Sequence, residues 1–412
     1  MKLLARIHQQ GSKLLLLGLL LLSLGSAAVS AQTHNDERWV SSWATSPSSI
    51  PGTEPALDVA DATLRLIVHS SAGGSALRLR LSNYHGQAPV QIGEVAVALQ
   101  AHDSAIEPGS STPVSFNGRR SVTIARGATV FSDPISFAVP PARNLSVSLH
   151  VLDDGGFLTA HALSNQTNYV SEPGNHVGAT RLPVAQETPA WGLLTAIDVI
   201  SENGVSAIAM VGDSITDGWD STLSGNQRWP NHFARRLYND NSITDFAIVN
   251  AGISGNQVTS EDNPLFGQNL QARFERDVLS LSKLSHMVLL EGINDIGMSS
   301  RGEHLVSADA VIAGYRQIIA RAHARGIKVI GATLTPYEGA AYYTPEGEVV
   351  RQRLNQFIRS SGEFDGVIDF EKVVQDPAHP TRILPEFTMD NLHPNDMGYK
   401  AMAEAIDLNL FR

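Results

Sequence analysis

The sequence predicts two architectures in one chain: an all-β sandwich or jelly roll, then an α/β three-layer sandwich built on a parallel sheet. Leu77, Leu79 and Leu81 in "LRLRLS", and Leu145, Val147, Leu149 and Val151 in "LSVSLHV", alternate with polar residues. That is the period of antiparallel strands with one wet face. From Gly204 onward, short β-branched runs alternate with amphipathic helical stretches, the signature of a parallel sheet covered on both faces. Three successive runs also end in small or polar residues, at the edge where open α/β sheets bind ligands.

Residues 1–31 read as a secretory signal peptide. Lys2, Arg6 and Lys13 form a basic region, 14–24 an apolar region, and Val29-Ser30-Ala31 a small-residue cleavage pattern that would release Gln32. The apolar run is short for a bilayer span, so the expectation is a secreted or periplasmic protein without a membrane anchor after cleavage. Residues 32–202 form the β half, with turns at Ala72-Gly73-Gly74 and Ala125-Arg126-Gly127. Residues 203–412 form the α/β half. Its strands are expected at 207–211, 246–250, 287–291, 327–333 and 367–370, and its helices at 231–239, 268–281, 308–325, 349–361 and 394–408.

Composition excludes several classes. The chain has 0 cysteines, so it carries no disulfide framework and no thiolate metal site. The formal charge is -11; removing the three basic residues of the signal peptide leaves -14, which speaks against a nucleic-acid partner. Hydrophobic residues make up 42 %, an ordinary globular fraction rather than a disordered one.

The chemistry stands at the strand ends. The first run ends in Gly212-Asp213-Ser214, the second in "NAGISG" with Gly255, and the third in Gly292-Ile293-Asn294-Asp295. Asp390 and His393 in "DNLHP" lie three residues apart before the last helix, a spacing that lets both face one way on a helical turn. A serine hydroxyl becomes a useful nucleophile when a histidine takes its proton and a carboxylate orients that histidine. Ser214, His393 and Asp390 would fill these roles. The N–H groups of Ser214 and Gly255 and the Asn294 amide would hold the oxyanion. The mechanism needs no cofactor and no metal, and no H-E-x-x-H or comparable cluster is present.

These blocks, "GDSITDG", "NAGISGN", "EGINDIG" and "DNLHP", resemble the SGNH or GDSL hydrolase family, in order over 205–412. The resemblance implies a flavodoxin-like sheet, Ser214 as nucleophile and oxyanion donor, Gly255 and Asn294 as the other donors, and Asp390 and His393 completing the triad. "RWP", "ARAHARGIKVIGATLTPYEG" and "YYTPEGEVVRQ" are similar to the branch that includes esterase modules of xylan degradation. That similarity implies short acyl esters, acetyl foremost, on a polysaccharide. The same triad would also serve an esterase or lipase acting on lipid or small aryl esters. A glycan-binding protein with a vestigial hydrolase half is the reading from another class.

Other residues take plainer readings. Ser214 could simply cap a helix, but its matching partners point to a nucleophile. Ser254 lacks the G-x-S-x-G spacing and reads as a turn residue. Asp213 and Asp295 read as loop-fixing acids, and His304, His323 and His379 as structural or solvated. Trp39 and Trp43 read as packing residues of the core or the interface between halves.

Overall fold

The computed structural model describes residues 38–48, 57, 59–201, 204–239, 245–302 and 304–412. The expected signal peptide, residues 1–31, lies outside them.

The first half carries seven principal strands: β1 (Trp39–Ala44), β2 (Ala62–His69), β3 (Gly74–Ser82), β4 (Val90–His102), β5 (Asn144–Asp153), β6 (Asn168–Pro173) and β7 (Leu194–Ile200). They form two antiparallel sheets. One runs β1-β7-β3, with Thr129–Phe131 and Ile135–Val139 paired to β3; the other runs Val184–Thr188, β6, β2, β5, β4. Leu77, Leu79 and Leu81 meet Leu145, Val147, Leu149 and Val151 in one fully buried core.

The polar faces of these strands depart from the expected wet surface. On β5, Ser146, Ser148 and His150 are buried, and the buried Arg65 crosses this face at Ser148. Its guanidinium donates to Ser148 Oγ at 2.9 Å, to the Ser104 carbonyl at 2.6 Å and to the Ala179 carbonyl at 2.8 Å. On β3 the arginines of "LRLRLS" turn toward the second half. Arg80 donates to the Ser280 carbonyl at 3.2 Å and its hydroxyl at 2.8 Å, and Arg78 to Asp198 at 3.0 Å and Ser282 at 3.3 Å. Alternation marks which residues face the apolar core, but a polar face can be dry where a partner supplies hydrogen bonds.

The second half carries β8 (Ser206–Gly212), β9 (Phe246–Gly252), β10 (Leu284–Leu290), β11 (Lys328–Ala332) and β12 (Gly366–Ile368). They pair in parallel in the order β9-β8-β10-β11-β12. Helices α1 (Ser214–Asp217), α2 (Trp229–Asn239), α3 (Leu270–Phe274), α4 (Ile293–Ser299), α5 (Ala308–His323), α6 (Pro345–Ser360) and α7 (Asp396–Glu404) connect and cover them. In α5, Val311, Tyr315, Ile318 and Ala322 recur at the i, i+3, i+4 spacing of a buried stripe. Ser307 starts α5 and Thr344 starts α6 by accepting from the Ala310 and Gly347 N–H groups. The helix expected at 268–281 is α-helical only over α3, then widens into a π-helical turn at Glu275–Leu279.

Register positions the site. Gly212 at the end of β8 lies opposite Gly252 of β9 and Leu290 of β10, so three loops leave the sheet side by side at the point where strand order reverses. A side chain at 212 would sit 2.3 Å from the Leu290 carbonyl, so only glycine lets β8 and β10 approach there. Beneath these ends lies Arg273, fully buried. It donates to the carbonyls of Ala251 at 2.8 Å and Gly212 at 3.3 Å, to Ser46 Oγ at 3.1 Å and to Asn256 Oδ1 at 2.7 Å. Asp277 stands 3.7 Å and Glu291 3.6 Å from the same guanidinium. The two halves also share apolar packing: Val205, Ala207 and Ala247 join the core of the β half, and Ala44 and Ala196 join that of the α/β half.

Glu291 is fully buried, and neither carboxylate oxygen has a hydrogen-bond partner among the described residues. Burial pushes its carboxyl up to about 8, against the pull of Arg273 and with the help of Asp213 and Asp295.

Arg273→Ala is expected to lower stability by about 3–5 kcal/mol, because it strands buried acids and carbonyls; urea denaturation measures it. A raised carboxyl value in the folded state makes stability full below the unfolded value and progressively lost as pH rises toward about 8. Glu291→Gln removes that titration. The fall in melting temperature between pH 5 and pH 8 should therefore be smaller in the variant than in the wild type, as read by thermal unfolding at the two pH values.

Candidate active site

Asp213 caps the short helix α1, its Oδ1 accepting from the Ile215 N–H at 3.0 Å. Ser214 thus becomes the first residue of that helix, where N–H groups have no intrahelical acceptor. Burial pushes the Asp213 carboxyl up to about 7, and its Oδ2 has no partner among the described residues.

The Ser214 hydroxyl lies 2.8 Å from His393 Nε2, and His393 Nδ1 lies 2.7 Å from Asp390 Oδ2. These residues come from the two ends of the α/β half and meet above the sheet. Asp390 and His393 do not share a helical turn, as their spacing suggested; α7 begins only at Asp396. Instead Asp390 Oδ1 accepts from the backbone N–H groups of Leu392 at 2.9 Å and His393 at 2.8 Å, with Asn391 in the left-handed region at φ 65°. An acidic side chain that satisfies the following N–H groups favours a turn over a helix. Burial raises the Asp390 carboxyl, but the hydrogen bonds from the His393 ring and backbone and the imidazole's charge outweigh it, holding the group well below the usual carboxylate range.

Gly255 lies in the loop after β9 at φ 77°, and a side chain there would strike the Phe266 ring at 2.2 Å. Asn294 is the second residue of α4 and is buried. Its Oδ1 accepts from the Tyr342 hydroxyl at 3.1 Å and its Nδ2 donates to the Asn256 carbonyl at 3.1 Å. One amide N–H therefore remains without a protein acceptor among the described residues. Asp295 ties the second loop to the third: its carboxylate accepts from the N–H groups of Val258 at 2.8 Å and Thr259 at 2.9 Å and from the Thr259 hydroxyl at 2.6 Å.

Several neighbours escaped sequence reasoning. Asp217, inside the "GDSITDG" block, accepts from the Ser254 N–H at 2.9 Å and hydroxyl at 2.8 Å, and pairs with His161 at 3.1 Å. His161 belongs to the β half, is buried, and is held on its other nitrogen by the Ser46 carbonyl at 2.8 Å. Burial works against charge on His161, but Asp217 outweighs it and holds the imidazole above its ordinary value. Tyr342 and Phe266 line an open cleft of about 510 Å³ that also includes Asp390, Leu392 and Arg301. Trp39 and Trp43 are buried, Trp43 edge-on to Trp191 at 5.1 Å. His323 is half exposed and bonded to Asp365 at 2.8 Å, and His304 and His379 are exposed. Among the described residues no group of three or more His, Cys, Asp or Glu side chains is arranged to hold a metal ion, and no helix is long and apolar enough to cross a membrane.

Among solved structures, the chain is similar to a GDSL-like lipase from Bacteroides thetaiotaomicron (22 % identity, 50 % of this chain and 88 % of that one, TM-score 0.37). It is also similar to the acetyl xylan esterase AlAXEase (20 %, 48 % and 96 %, TM-score 0.38). A third similar structure is a variant of an acetyl-xylooligosaccharide esterase from Geobacillus Stearmophilus (22 %, 48 % and 91 %, TM-score 0.38). No curated protein matches the chain. Residues 210–401, just under half of the chain, match the GDSL-like Lipase/Acylhydrolase family, and the α/β half that contains them is a carboxylic ester hydrolase unit of that type.

Proposed function

We propose that the protein is a secreted serine esterase that removes short acyl groups, acetyl foremost, from a polysaccharide such as xylan. The observation that carries the reading is the unbroken line of contacts from the Ser214 hydroxyl through the His393 ring to Asp390. His393 Nε2 takes the hydroxyl proton as Ser214 Oγ attacks the ester carbonyl. Asp390 fixes the tautomer with Nδ1 protonated and stabilises the imidazolium. Held well below the usual carboxylate range, it stays charged for that task.

The N–H groups of Ser214 and Gly255 and the open N–H of Asn294 then receive the oxyanion. Tyr342 supports this assignment, because its donation to Asn294 Oδ1 turns the amide so that nitrogen, not oxygen, is offered to substrate. Collapse of the tetrahedral intermediate breaks the bond to the alcohol, which leaves with the proton from His393. Water, deprotonated by the same imidazole, releases the carboxylic acid and restores Ser214.

Phe266 packs on Gly255 and Tyr342 on Gly297 beside the donors, where a β-carbon would stand 2.2 Å and 2.4 Å from the respective rings; the short acyl group itself rests on the similarity of the sequence to acetyl esterases. The polysaccharide rests on the sequence similarity of the helical and "YYTPEGEVVRQ" segments to xylan-associated esterases, and secretion on the N-terminal 31 residues.

Ser214→Ala is expected to abolish hydrolysis of p-nitrophenyl acetate while circular dichroism stays that of the wild type; near wild-type turnover in the variant would remove the nucleophile. Activity should fall on acidification as the imidazole becomes protonated. Asp390 is held below the ordinary carboxylate range and stays ionised across that limb. A plot of log kcat/KM against pH should decline on acidification, and a rate level into the carboxylate range would contradict the base.

A further inference from the structure

Beyond α1 the chain presents two exposed side chains, Trp219 beside the triad and Asp220 next to it in the chain. Trp219 is 48 % exposed, and its ring centre lies 6.3 Å from that of His393. Asp220 feels the same site: burial raises its carboxyl above the ordinary value, Asp390 adds to the rise and His393 opposes it. The imidazole that hands its proton to the departing oxygen must lie beside the alcohol half of the ester. Groups next to His393 therefore meet the alcohol, whereas the acyl half lies toward Asn294 and Gly255.

The pairing selects among alcohols. An indole face suits the C–H face of a pyranose ring, and an adjacent carboxylate accepts from its hydroxyls. A hydrocarbon alcohol would cover the carboxylate and return no hydrogen bond.

The platform is exposed yet fixed. The buried Tyr399 donates its hydroxyl to the Trp219 carbonyl at 2.7 Å, and the Trp219 N–H reaches the Ser214 carbonyl at 3.0 Å. Asp396 accepts from the Thr222 N–H at 2.8 Å and hydroxyl at 2.5 Å. From the β half, the Asn165 amide donates to the Gly218 carbonyl at 3.2 Å, the Ser221 carbonyl at 3.0 Å and the Ser221 hydroxyl at 2.7 Å. These bonds bracket Trp219 and Asp220 on both sides. A preordered aromatic surface loses little freedom when a ligand settles on it.

We propose that Trp219 and Asp220 form a carbohydrate subsite that receives the sugar ring of the leaving alcohol, with Asn165 of the β half as its positioning residue. This deepens the esterase reading above and rests on it.

The test compares kcat/KM of the full chain on an acetylated xylo-oligosaccharide and on ethyl acetate, whose alcohol is too small to use the platform. Trp219→Ala is expected to lower the ratio of the two about tenfold, mainly through KM for the sugar ester, and Trp219→Phe to restore most of it. Asp220→Asn and Asn165→Ala should lower the same ratio through KM. Circular dichroism checks that each variant is folded, and the exposed Trp219 makes its variants the decisive ones. A wild-type enzyme that turns over both esters, with a ratio unchanged in Trp219→Ala, would overturn the subsite and leave the esterase standing. A loss confined to medium-chain alkyl esters would overturn it in favour of a lipid alcohol. Wild-type failure on every ester would overturn both readings together.

Discussion

One guanidinium holds together the sheet edge that carries Ser214. Arg273 reaches carbonyls at the ends of β8 and β9, the Asn256 side chain of the second loop, Ser46 of the β half and two buried acids. A charge with no exposure to water needs this density of partners, since an unpaired buried ion costs several kcal/mol. The requirement runs both ways: the segments that satisfy Arg273 are thereby brought to fixed positions. The π-helical turn after α3 belongs to the same arrangement, because it delivers Asp277 to the guanidinium.

Around this clasp the loops are tied by acids rather than by apolar packing alone. Asp213 caps the helix that begins at Ser214, Asp217 holds Ser254 and His161, and Asp295 holds the N–H groups of Val258 and Thr259. Each acid sits where the low-dielectric interior strengthens its hydrogen bonds and penalises its charge. Asp213 and Glu291 lie raised toward neutrality by burial, whereas Asp390, supplied with hydrogen-bond donors from the His393 ring and the following backbone, is depressed. The site therefore separates its carboxyls by environment: those beneath the serine incline to the neutral form, and the one behind the imidazole stays ionised.

Much of this was legible in the sequence. The strand and helix periods located the elements of the α/β half within a few residues, and the residues delivered to the strand ends include Ser214, Gly255 and Asn294. The Asp390–His393 contact was readable from spacing, but its turn was not, because the competition between a carboxylate and the helix for the same N–H groups is decided in three dimensions. Arg273 was illegible for a similar reason. An arginine on a helix reads as solvated until acceptors from distant segments converge on it. Arg78 and Arg80 looked like the wet edge of a strand and proved to face the other half, and Trp219 lay one residue beyond the block that drew attention to Ser214.

Strand β9 carries a further consequence. It is the outermost strand of the parallel sheet, and its Ile248 N–H is met by the Ser71 hydroxyl at 3.0 Å, while Ser46 donates to the Ala251 carbonyl at 3.3 Å. The first half thus shields a margin that would otherwise offer unpaired backbone groups to any passing strand, the usual starting point of edge-to-edge association. Cutting the chain at the junction would take both hydroxyl partners away from β9 and uncover an adhesive border.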